Sequence, residues 1–246
     1  VNLPEMESSE HRSVFAVLMA LAPSAYFTDK RLMTVASLKM VILSLRYGTT
    51  NVSSFGFMML TVVVGICLND WGLCYEFGEL ALRLNEKYHN RAISGMLHHL
   101  FAFFVCHWKR PMQLDVEAYR KALLLAVETG ALVPSAWAFT NSLITQWVKG
   151  DTLSSVEQDS DRCFEFVTQR KYHEIAVEVL PARQASMCLQ GKTWPLDSLS
   201  DSTHEEDQLE ATIRSYTNKM VYVAFAIAKM QTLYLLGHER EALRWA

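Results

Sequence analysis

The stretch Asn69-Asp70-Trp71-Gly72-Leu73-Cys74-Tyr75-Glu76-Phe77-Gly78-Glu79-Leu80-Ala81-Leu82 decides how the whole chain reads. A polar turn opens onto an aromatic residue. A small residue, Cys74, follows three positions on, and Ala81-Leu82 begins ten positions after Trp71. Cys74, Phe77, Ala81 and Leu84 share one helical face, and Glu76, Glu79, Arg83 and Glu86 share the other. The ring at Trp71 suits a plug between neighbouring helices, and the small residues let a paired helix come close. An amphipathic helix of this kind hides its apolar stripe only against another helix.

The same rhythm extends in both directions. Upstream, helices are expected over Glu7–Leu21, stopping near Pro23, over Asp29–Tyr47 with Val35, Leu38, Ile42 and Leu45 at spacings of three and four on one face, and over the strongly apolar Asn51–Leu68. Downstream they are expected over Arg91–Trp108, Leu114–Glu128, Val133–Lys149, Ser154–Arg170 and His173–Leu189. A long last helix, Glu205–Leu236, buries Ile213, Met220, Ala224, Ile227 and Leu235. Gly48, Gly130, Gly150, Gly191 and Gly237 stand where helices should stop. Residues 192–204 break the period, with Pro195, three serines and two aspartates, and read as an exposed inserted loop pinned by Trp194 and Leu196.

Half of the 246 residues are hydrophobic, and Gly (10) and Pro (6) are too few for a turn-rich β protein of this size. The net charge of -3, with Lys109-Arg110 as the longest basic cluster, argues against a nucleic-acid partner. Phe55–Leu68 is shorter than the ~20 residues that a bilayer-spanning helix needs, so no membrane span is expected. The five cysteines form no CxxC pair and read as buried free thiols in the cytoplasm. Val1 and the unfinished periodic segment ending at Ala246 read as the ends of a fragment, and residues 1–246 as one domain.

Helix pairs of roughly 35 to 45 residues are a length typical of helical repeats. The Asn69–Leu82 stretch resembles the turn and second helix of a tetratricopeptide repeat. Leu236-Gly237-His238-Glu239 with Ala242, and Gly150-Asp151-Thr152 with Ser155, are weaker echoes. The expected fold is therefore all-α, a TPR-like α-α superhelix of degenerate helix-turn-helix repeats. A wider set of residues resembles the helical region of very large hybrid signalling proteins. These are Lys39-Met40-Val41, Tyr47-Gly48, Ser54-Phe55-Gly56-Phe57, Tyr75-Glu76-Phe77-Gly78, Trp108-Lys109-Arg110-Pro111, Glu128-Thr129-Gly130, Arg183-Gln184 and Leu189-Gln190-Gly191. Those proteins join a serine/threonine-kinase-like domain, an AAA-type ATPase, a GAF domain and a histidine kinase to this region. The resemblance implies a regulatory role beside catalytic domains outside this chain, and it defines no functional residues here.

Catalytic patterns fail one by one. Gly191-Lys192-Thr193 imitates the end of a phosphate-binding loop, but Ser186 stands where Gly is required. His173-Glu174, His204-Glu205 and His238-Glu239 lack a second histidine, having Val177, Gln208 and Ala242 at that position. His99 and Cys106 share a helix face but are separated by about 10.5 Å of rise, too far for one metal. Packed core histidines are expected instead. No enzyme, cofactor or metal is therefore expected from this chain. The expected partner is a protein or a neighbouring domain of the same polypeptide, with a small-molecule pocket between helices as the alternative. The candidate interaction surface is Trp108, Lys109 and Arg110 at a helix joint, with Arg183 and Gln184, polar residues in an otherwise apolar helix. The competing reading of the joint has Trp108 packed inward and the two cations facing helix-end carbonyls.

Overall fold

A computed structural model describes residues 3–216 and 219–246. Among them the chain is all-α, with no strand beyond an isolated bridge between Glu5 and Thr49. The helices are α1 (Ser9–Thr28), α2 (Lys30–Tyr47), α3 (Ser53–Leu68), α4 (Trp71–Lys87), α5 (Arg91–Phe104), α6 (Met112–Glu128), α7 (Leu132–Lys149), α8 (Leu153–Gln169), α9 (His173–Leu189), α10 (Glu206–Ser215), α11 (Met220–Leu235) and α12 (Glu239–Ala242). No helix among the described residues is long and apolar enough to cross a membrane. All five glycines expected at helix ends have positive φ, from 70° to 96°. The chain divides within α7 into two compact units, Val1–Ala138 and Phe139–Ala246.

In the first unit each helix packs on its successor: α1 on α2, α2 on α3, α3 on α4, and α5 on α6, while α3 also touches α5. The apolar α3 lies at the centre and is buried without interruption from Ser53 to Gly65. Its close neighbours need small side chains. A Cβ on Gly56 would stand 2.9 Å from Met40 Cβ, and one on Gly65 would stand 2.7 Å from the Trp71 ring. The α4 stripe is oriented as its spacing requires, with Cys74, Ala81 and Leu84 buried and the Cys74 thiol donating to Thr61 O at 3.1 Å.

One expectation fails in this unit, and α2 holds a further surprise. α1 runs through Pro23 to Thr28, because Ala22 and Ala25 on either side of the proline are packed in the core and hold the helix together. The inward face of α2 is also not the one its large apolar residues suggest. Val35, Leu38, Ile42 and Leu45 are exposed, and Met33, Ala36, Ser37, Met40, Val41, Leu43 and Ser44 are buried. Small residues admit α3 at close range, and the two serines satisfy themselves on their own helix. Ser37 Oγ donates to Met33 O at 2.8 Å, and Ser44 Oγ donates to Met40 O at 3.0 Å.

In the second unit α8 packs on α9, and α11 touches α9, α10 and α12. The expected single helix Glu205–Leu236 is two. Tyr216 turns extended, and Lys219 Nζ donates to Arg214 O and Tyr216 O, closing the end of α10. On α11, Met220, Ile227 and Leu235 are exposed, while Val221, Phe225, Ala228, Lys229, Thr232 and Leu233 are buried. Residues 192–204 form no helix and are mostly exposed, but Leu199, fully buried with Thr193 and Ser200, seats the segment rather than the expected Trp194 and Leu196, which are exposed. Four cysteines are buried as expected, but Cys67, near the end of α3, is exposed.

Candidate interaction surface

Trp71 begins α4 because Asp70 caps the helix, its Oδ1 accepting from Leu73 N at 2.9 Å. The preceding Asn69 takes the left-handed conformation that ends α3, and its Oδ1 accepts from Trp71 Nε1 at 3.0 Å. That bond fixes the indole plane. Trp108 then stacks on it, with ring centroids 3.9 Å apart and planes inclined by 18°. Trp108 comes from a short 3₁₀ turn, Cys106–Trp108, that replaces the expected last turn of α5. It is 50% exposed, so one face of the stacked pair is open to a partner.

Lys109 and Arg110 follow, both exposed, before Pro111 opens α6. Arg110 Nε donates to Tyr75 OH at 3.1 Å, and its guanidinium lies 5.3 Å from the Tyr75 ring centroid. The hydrogen bond to Tyr75, with the Glu79 carboxylate nearby, raises the guanidinium above its usual value and keeps it protonated. Beneath this rim, Cys106 is buried, and burial with the adjacent Asp115 pushes its thiol up to about 12. Such a thiol is not a nucleophile at neutral pH. The joint can therefore stack a flat side chain and pair an acidic one.

Arg183 and Gln184 belong to α9, in the second unit. Arg183 Nε donates to Asp161 Oδ1 at 2.7 Å, and its Nη1 donates to Asp201 Oδ2 at 2.8 Å and to Gln184 Oε1 at 3.1 Å. Gln184 has no exposed surface. Burial disfavours the Asp201 charge, but hydrogen bonds from Thr203 and Arg183 outweigh it and hold the carboxyl far below its usual range. This cluster ties α8 and α9 to the 192–204 segment.

Other titratable groups serve packing. Burial lowers His98 and His99 to about 4, with Lys121 adding to the effect at His98. The His99 ring lies among Phe103 and Tyr119. Among the described residues no three His, Cys, Asp or Glu side chains converge as metal ligands. Glu178 is buried on α9, and burial, then the charge of Glu174, raises its carboxyl from 4.5 to about 8. Between those values the folded state keeps a proton that the unfolded chain releases, so this group's contribution to stability declines as pH rises from 4.5 to 8. Glu178→Gln should melt several degrees above the wild type at pH 8.5 and close to it at pH 5, as read by circular dichroism.

No family model matches the chain. Among curated proteins, the chain is similar to hybrid signal transduction histidine kinase G of Dictyostelium discoideum, with 26% identity over 157 residues. The match covers 62% of this chain and 4% of that protein's length. It is a likeness to one region of a much larger signalling protein.

Proposed function

We propose that this chain is a non-catalytic, tetratricopeptide-like interaction module of a multidomain signalling protein, and that it contacts neighbouring domains of the same polypeptide. The observation that carries this reading is the stacked Trp71–Trp108 pair, half open and rimmed by exposed Lys109 and Arg110. Tryptophan and arginine are the side chains most often found as anchors in protein interfaces. Packing of successive helices from α1 to α6 in the first unit, with α3 also reaching α5, supports the repeat reading. The likeness to a hybrid histidine kinase supports the signalling context.

Hydrogen–deuterium exchange on a longer polypeptide that includes the flanking domains tests this reading. Amides of residues 71–76 and 105–112 should exchange at least tenfold more slowly there than in the isolated chain. Trp108→Ala combined with Arg110→Ala should abolish the difference without altering the melting temperature by more than a few degrees. Equal exchange in both contexts would sink the reading.

A further inference from the structure

The face that α2 turns away from the core has a pattern of its own. At about 100° per residue, Leu45, Leu38, Ile42 and Val35 fall within a sector of about 80°. All four are exposed, between 40% and 60%. Leu32, also 40% exposed, falls about 60° outside this sector. From Val35 to Leu45 the ridge runs about 15 Å, or nearly three helical turns. Spacing of three and four residues is what a second helix packs into.

The charges beside this ridge are of one sign. α2 has the sequence KRLMTVASLKMVILSLRY and contains no acidic residue. Lys39 and Arg46 flank the ridge on one side, Arg31 stands at its beginning, and all three are exposed. Among the described residues none of the three forms an ion pair, whereas Lys30 is held over the Tyr26 ring at 3.5 Å. The opposite flank carries Thr34 and the buried Val41, and its one cation, Lys30 at the start of the helix, is engaged with the Tyr26 ring. A ligand that matched only the apolar ridge would leave these cations without a counterpart.

We infer that the outer face of α2 is a docking site for an amphipathic helix of about three turns with acidic residues along one flank of its apolar ridge. Its apolar residues cover Val35, Leu38, Ile42 and Leu45, and its carboxylates meet Lys39, Arg46 and Arg31. One-sided charge sets the direction and register of the docked helix, because a reversed helix turns its acidic flank towards Thr34. This surface is separate from the Trp71–Trp108 joint, so either reading can fail without the other.

Two fluorescent 18-residue helical probes test the inference on this chain. Both carry leucines at spacing three and four, one with glutamates along a single flank and the other with lysines in their place. The glutamate probe should bind at least tenfold more tightly by fluorescence anisotropy. Ile42→Glu should weaken it at least tenfold, and Lys39→Glu with Arg46→Glu should reverse the preference towards the lysine probe. Both variants alter exposed positions, and circular dichroism confirms that they remain folded. Should Ile42→Glu unfold, the charge-reversal variant still decides the matter. Equal affinity for both probes, or an unchanged preference after charge reversal, overturns the inference. Binding to phosphatidylserine vesicles without binding to the glutamate probe would assign the face to a membrane surface instead. Self-association of the chain that Ile42→Glu abolishes, without probe binding, would assign it to a second copy.

Discussion

Lys229→Ala is expected to destabilise the second unit by about 3–5 kcal/mol, the cost of leaving a buried charge without its partner. Lys229 Nζ lies 2.7 Å from Glu206 Oε1, with side chains only 10% and 13% exposed, and also donates to Asp197 O at 2.9 Å. Glu206 in turn accepts from Ser198 Oγ at 2.8 Å and from Leu199 N at 2.7 Å. One ion pair therefore joins α11, α10 and the 192–204 segment, and it seats Leu199 in the core. Removing the ammonium leaves the carboxylate in a site that water reaches poorly. Surface ion pairs of the ordinary kind would cost at most about 1 kcal/mol, so the magnitude separates the two cases. Urea denaturation supplies the measurement. Lys229→Met combined with Glu206→Gln should lose less than the two single changes added together, because no unpaired charge remains. A loss below about 1 kcal/mol for Lys229→Ala would show that the pair is hydrated and not structural.

This segment also shows where the amino-acid pattern stops being informative. Its serines, aspartates and proline carry no period, and nothing local announces that a lysine from α11 will hold it. Helices with clean two-sided patterns, such as α4 and α8, were legible because most of their buried residues come from the apolar stripe: Cys74, Ala81 and Leu84 on α4, and Val156, Cys163 and Val167 on α8, against one buried polar residue each, Asn85 and Ser160. On α2 and α11 that equivalence fails. Ser37, Ser44, Lys229 and Thr232 are buried, each with a hydrogen-bond partner, so apolar spacing identifies the outer face instead.

The candidate surface was half legible for a similar reason. Trp108, Lys109 and Arg110 stand out as a joint, but the stacking partner Trp71 has its own good reason to be conspicuous as a helix-packing residue. Only the fold brings the two indoles together. Arg183 and Gln184 stand out because they are polar in an apolar helix, and two acids from other elements explain Arg183. Asp161 comes from α8 and Asp201 from the 192–204 segment, and neither is implied by the local sequence of α9.

Gly95→Leu is expected to cost about 3 kcal/mol or more and to loosen the pairing of α5 with α6. A Cβ at Gly95 would stand 2.8 Å from Ala126 N and 2.9 Å from Ala122 O, both backbone atoms of the facing helix. Backbone cannot rotate out of the way as a side chain can, so the two helices must separate along their contact. Gly78 offers the control. Its Cβ would meet the Phe101 ring at 2.7 Å and 2.8 Å, and a ring on a flexible side chain can yield. Gly→Ala at either position gains about 1 kcal/mol of helix propensity, and this gain cancels in the comparison. Gly95→Ala should therefore melt lower than Gly78→Ala, and the difference isolates the clash from the propensity. The reverse order would mean that α5 and α6 slide past one another at little cost. The close approach at Gly95 would then not be what fixes their register. The expected order instead makes Gly95 to this helix pair what Gly65, against the Trp71 ring, is to α3 and α4: the point at which a missing side chain sets the spacing.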